Sequence, residues 1–151
     1  MERVKISRKT WVVICDGAKA LILRNDGDAE LLNLIPVDVM FEVHPPTQEL
    51  GSDRQGRTYK SQGAARSAVE ETDWHSEAER SFLAKVADWL NSGVQDHSIR
   101  QVVLIAPPKA LGILRDHLLP STRATVIAEI AKDLVKMPIP EIEKHLAATS
   151  R

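Results

Sequence analysis

"TWVVICDGAKALILRN", Thr10 to Asn25, decides the fold. Trp11, Val13 and Cys15 alternate with Val12 and Ile14, so both faces of the first run are apolar. A strand buried on both sides reads this way, which puts it centrally in a sheet with a layer packed on each face. Asp16-Gly17 is a hairpin signal, and "AKALILRN" returns as a second, antiparallel strand. Asn25-Asp26-Gly27-Asp28 turns the chain into "AELLNLI", which completes a three-stranded meander. Pro36 is expected to end or bend that third strand, because it has no N–H for the ladder.

Downstream, Ala78, Phe82, Leu83, Val86, Trp89 and Leu90 recur at helical period. Ser76 with Glu79 has capping-box spacing, Asp73 is a rival N-cap, and Gly93 is the expected stop. "RQVVLIAP" is a second run apolar on both faces and reads as a buried strand parallel to the first. Pro107 and Pro108 suit the first turn of a helix carrying Leu111, Leu114 and Leu118, which Pro120 ends. "ATVIAEI" is the fifth strand, and Pro140 opens a last helix through Ile142 and Leu146. The order β-β-β-α-β-α-β-α, with right-handed crossovers, predicts an α/β domain built on a five-stranded mixed sheet, the ribonuclease-H-like architecture.

The whole chain, residues 1–151, reads as one domain without internal repeats. It is 43% apolar and only 4% aromatic, so aliphatic side chains must fill the core. A net charge of −1 writes no bulk attraction to nucleic acid or anionic lipid into the total, so a polyanion would have to meet a local basic patch. The single cysteine, Cys15, allows no intrachain disulfide and is expected to be a buried, inert thiol. The apolar run Trp11–Cys15 is too short for a signal h-region, and no window reaches the length of a membrane span. The expected location is the cytoplasm.

The chemistry-bearing motifs are few. Asp16 stands where a metal nuclease would hold one ligand, but the neighbouring strand end is Ala106-Pro107-Pro108, without an acid. Asp133 and Glu143 lie far along the chain. His44, His75, His97, His117 and His145 show no ligand spacing. No metal, no cofactor and no nucleophile constellation is expected.

What stands out is "GSDRQGRTYKSQGAAR", Gly51 to Arg66. It carries the cations Arg54, Arg57, Lys60 and Arg66 against the single anion Asp53. Gly51, Gly56 and Gly63 free its backbone, and Gln55 and Gln62 place amides beside those glycines. The stretch is expected to be a flexible basic loop at about 51–66, suited to phosphates and exposed base edges. Structureless connections of this length inside compact domains are usually functional or disordered.

"WVVICDGAKALIL", "GSDRQGR", "DWHSEAERSFLAKVADWLNSG", "QVVLIAPPKALGILRDHL" and "VIAEIAKDLVKMPIPEIEKHL" together resemble the bacterial host attachment family, "protein required for attachment to host cells", over Thr10 to Leu146. That family is in turn grouped with relatives of the middle domain of archaeo-eukaryotic peptide-chain release factors. The resemblance implies the fold above and a functional loop after the third strand, where release factors carry Gly-Gly-Gln into the ribosome to hydrolyse peptidyl-tRNA. Here Ser61-Gln62-Gly63 and Arg54-Gln55-Gly56 stand instead. Gln62 is the candidate for a catalytic-like position, and Arg54, Arg57, Lys60 and Arg66 are the expected phosphate contacts.

The leading expectation is a non-enzymatic domain that contacts ribosomal RNA or tRNA through this loop. The alternatives are an attachment or protein-interaction factor without RNA binding, and a peptidyl-tRNA-hydrolase-like activity. An exposed edge on the third strand leaves pairing with a second copy open.

Overall fold

The computed structural model describes residues 5–42 and 56–150; over 56–75 and 148–150 the description is of the backbone alone. Three strands, β1 (Trp11–Cys15), β2 (Lys19–Asn25) and β3 (Leu34–Phe41), precede the helix α1 (Gly56–Gln95). Then come β4 (Val102–Ala106), α2 (Pro108–His117), the single turn α3 (Pro120–Arg123), β5 (Val126–Ala131) and α4 (Ile139–Ser150). The strands form one mixed sheet in the order β3-β2-β1-β4-β5. β1 pairs antiparallel with β2 and parallel with β4, and β4 is parallel to β5.

The two runs that are apolar on both faces become the two central strands, and every residue of both is buried. On one face α1 supplies Phe82, Leu83, Val86, Ala87 and Leu90, and α2 supplies Ala110, Leu111 and Leu114, against Trp11, Val13, Cys15 and Leu104. On the other face Ile142 and Leu146 of α4, with Ile6, Leu134 and Val135, cover Val12, Ile14, Val103 and Ile105. Fully burying one such aliphatic side chain contributes roughly 1.5–3 kcal/mol. The double-sided aliphatic core therefore holds this aromatic-poor chain together.

Three sequence expectations are corrected. Of the two alternatives at Pro36 the strand bends and does not end, and its bounds differ from those expected: it begins at Leu34 and runs through Pro36 to Phe41. The register slips between Ile22 and Leu23, so that Val37 is bulged out and Pro36 sits opposite Leu23. Since β3 is an edge strand, a residue whose nitrogen faces away from β2 loses nothing by being proline.

The helix expected from Ser76 begins twenty residues earlier, at Gly56, so neither Ser76 nor Asp73 caps it. Gly93 lies inside the helix instead of ending it. A β-carbon there would collide with Cδ1 and Cγ1 of Ile99, so glycine is required for close packing. The stop is His97, which takes the left-handed conformation (φ 68°) while its N–H donates to the carbonyl of Val94 at 3.1 Å. Pro120 lies just beyond the end of α2, as expected, and in addition opens the extra turn α3 at its first position.

Candidate functional site

Ligands of open α/β sheets bind beyond the carboxyl ends of the strands. At the carboxyl end of β1, Asp16 Oδ1 accepts from the N–H groups of Ala18 and Lys19, both at 2.9 Å. This carboxylate holds the turn into β2, the role that the Asp16-Gly17 pair suggests in the sequence. Gly17 was read as a hairpin signal through its backbone freedom, yet no described glycine has a positive φ. The space beside it is taken by the Glu79 side chain. A β-carbon at Gly17 would lie 2.5 Å from Glu79 Cγ and 2.6 Å from Oε2.

Glu79 projects from α1 and lies flat on that turn, and its Oε1 meets Lys109 Nζ of α2 at 3.3 Å. One carboxylate thereby joins β1, α1 and α2 at the carboxyl edge. Sequence reasoning assigned Glu79 to a capping box and passed over Lys109. The usable signal was Lys109 in the first turn after a buried strand, where parallel sheets gather functional groups.

At its other end α1 approaches the start of β1. Trp89 packs edge-on against Trp11 with ring centroids 5.7 Å apart, and Trp11 Nε1 donates to the carbonyl of Ser98 at 3.2 Å. The helix therefore runs antiparallel to β1, passing the carboxyl edge at Glu79. Between Gly56 and Glu79 there is about 35 Å of helix at 1.5 Å per residue.

The sequence-predicted site residues divide accordingly. Gly51 and Arg54 lie outside the described residues. Gly56, Arg57, Lys60, Gln62, Gly63 and Arg66 stand on helical backbone, which corrects the expectation of an irregular, flexible loop from residue 56 onward. Ala64, Ala65, Gln62, Arg66, Ala68, Glu70 and Glu71 all favour helix intrinsically, and this propensity needs no apolar period to act. The first turn of α1 contains no acidic residue and does contain Arg57.

Among the described residues no group of three or more His, Cys, Asp or Glu side chains could hold a metal ion. Glu143 is engaged structurally, its Oε2 accepting from the Leu34 N–H at 2.8 Å. His117 Nδ1 lies 2.9 Å from the carbonyl oxygen of Ile113, within its own helix. Cys15 is fully buried, and burial, with the Asp16 carboxylate adding to it, pushes its thiol up to about 12. Among the described residues no helix is long and apolar enough to cross a membrane.

The family description "Protein required for attachment to host cells" matches residues 11–146, nine-tenths of the chain and all of the sheet. The chain belongs to this family. No curated protein matches the sequence. The host attachment family is thus carried here by a three-layer α/β domain with its longest helix passing the carboxyl edge of the sheet.

Proposed function

We propose that this member of the host attachment family is a cytoplasmic, non-enzymatic domain that contacts RNA, on the ribosome or as tRNA, through Arg54, Arg57, Lys60 and Arg66. The supporting observation is the start of α1. A helix amino terminus carries a partial positive charge and is ordinarily complemented by acidic residues. This one has none in its first turn, and basic residues are gathered before and after it. For the isolated helix that choice is unfavourable, whereas for an anion-binding element it is apt. Phosphate oxygens would meet guanidinium groups, an ammonium group and unpaired backbone N–H groups together.

The finer kinship belongs to the same proposal. What supports it is a five-stranded mixed sheet compatible with a ribonuclease-H-like reading, and a basic stretch that follows the third strand, where the release-factor middle domain carries its ribosome-entering loop. Because Ser61-Gln62-Gly63 replaces Gly-Gly-Gln, the proposal is of contact without hydrolysis, with Gln62 beside the bound nucleic acid.

The test is binding of labelled single-stranded RNA and co-sedimentation with ribosomes across a salt series. Four neutralised phosphates predict a slope of log K against log salt of roughly −3. Changing the four cations to Ala should abolish the salt-dependent part. Binding that is unaltered by that variant would overturn the reading. The family description favours a second reading, an attachment factor with a protein partner. Surface exposure on intact cells, together with no RNA binding at low salt, would establish it instead.

A further inference from the structure

The sheet has two edges, and the chain treats them differently. Along β3, the Asn25 N–H donating to Thr10 and the Glu42 N–H donating to Ala18 fix which residues face β2. By alternation Leu34, Pro36, Val39 and Phe41 turn their backbone outward. The Leu34 N–H is taken by Glu143, Pro36 has none, and the Val39 N–H is taken by Asp38 Oδ1 at 2.8 Å. Three of these four positions offer no free N–H, and with the bulge at Val37 the edge is guarded from Leu34 to Val39.

β5 is the opposite case. The Val102 N–H donates to the carbonyl of Thr125, so Val102 and Leu104 face β5, and with Leu104 opposite Glu129 it is Ala128 and Ile130 that face β4. Glu129 and Ala131 therefore point their backbone groups away from the sheet, and neither N–H has a partner among the described residues. The one charged side chain on this strand is no guard, since Glu129 is drawn back onto Arg115 of α2 in a two-point ion pair.

We propose that the β5 edge is a homodimerisation surface, with Glu129 and Ala131 pairing antiparallel with Ala131 and Glu129 of a second copy across a two-fold axis. The strand is self-complementary in that register. All four outward N–H groups find outward carbonyls, and two five-stranded sheets become one of ten strands. Ile130 of each copy meets its mate at the axis, on the face where it already packs with the second core cluster. Each Glu129 lies opposite an Ala131, never opposite the other Glu129, and keeps its own Arg115. A two-fold contact of this kind closes after two copies and does not propagate.

The experiment is sedimentation of the full chain from about 1 to about 100 μM, an affinity range in which edge pairing is measurable. Glu129→Pro removes an outward N–H that the chain's own ladder does not use, and should weaken association about 10-fold or more through two lost hydrogen bonds per dimer. Glu129→Ala, which also loses the Arg115 pair but keeps the N–H, should associate as the parent does. A parent that is monomeric throughout, or a folded Glu129→Pro variant that dimerises undiminished, overturns the proposal. Ile130→Cys provides the check should the proline variant not fold. In a non-hydrogen-bonded antiparallel pair the two Cα atoms lie about 4.5 Å apart, within disulfide reach. Mild oxidation should yield a covalent dimer through residue 130, because Cys15 is inaccessible; no such dimer overturns the proposal.

Discussion

The side-chain amide of Asn25, fully buried, donates to the carbonyls of Ile6 at 3.0 Å, Ser7 at 3.2 Å and Asp28 at 3.3 Å. Its oxygen accepts from the N–H groups of Gly27 at 3.0 Å and Asn33 at 2.9 Å. One residue thus closes the 26–33 loop and ties the chain before β1 to the end of β2. Sequence reading recognised Asn25 only as the start of a turn. Its partners at Ile6 and Asn33 are set by tertiary structure, which no local pattern encodes. Asn25→Ala leaves buried carbonyls and N–H groups unpaired and should cost about 3 kcal/mol or more, read from urea unfolding. A loss below 1 kcal/mol would mean that water replaces the amide without penalty.

At the scale of single elements, α2 contains a glycine that nothing in the fold requires. Gly112 lies mid-helix without a positive φ, and a β-carbon there would meet no atom within 4 Å. Gly112→Ala should raise stability by about 0.5–1 kcal/mol by narrowing the unfolded ensemble. The urea midpoint should rise while the slope stays constant; an unchanged or lower midpoint would refute the argument. The elements that were misjudged from sequence share a cause. Whether β3 ends or only bends at Pro36 is not legible locally, because it depends on whether the proline nitrogen faces a neighbour, and so on the strand being an edge. The first turns of α1, from Gly56 to Gly63, read as loop because their evidence lies in propensity, not in apolar period, whereas Ala64 to Glu71 already allows a helix on composition. β1 and β4, by contrast, were legible at once: aliphatic residues on both faces have one stable home, the middle of a covered sheet.

For the molecule as a whole, Cys15 reports on cooperativity. It lies in the central strand beneath α1 and α2, fully buried, with its thiol held protonated to about 12. A thiol reagent at pH 8 should therefore react only as fast as the molecule opens globally, so the labelling rate should follow urea stability. Rapid labelling of folded protein would show that the first core cluster opens locally. The same burial has a pH consequence. The unfolded thiol ionises from about pH 9 and the folded one does not, so stability should decline as pH rises through that window towards 12. The core, the layers and the inert thiol were readable from composition and alternation. The carboxyl-edge contact of Glu79 with Gly17 and Lys109 was not, because it joins three elements distant in sequence.

That contact has a mechanical counterpart at the far end of α1. Glu79 lies in the gap left by Gly17, and Ile99 lies in the gap left by Gly93, the two helix positions being about 21 Å apart along the axis. The helix is thus seated at two points on its axis, each a side chain lying where a glycine leaves room. A pull or push delivered to its amino-terminal half is opposed at both seats, and the nearer of them rests on the turn between β1 and β2.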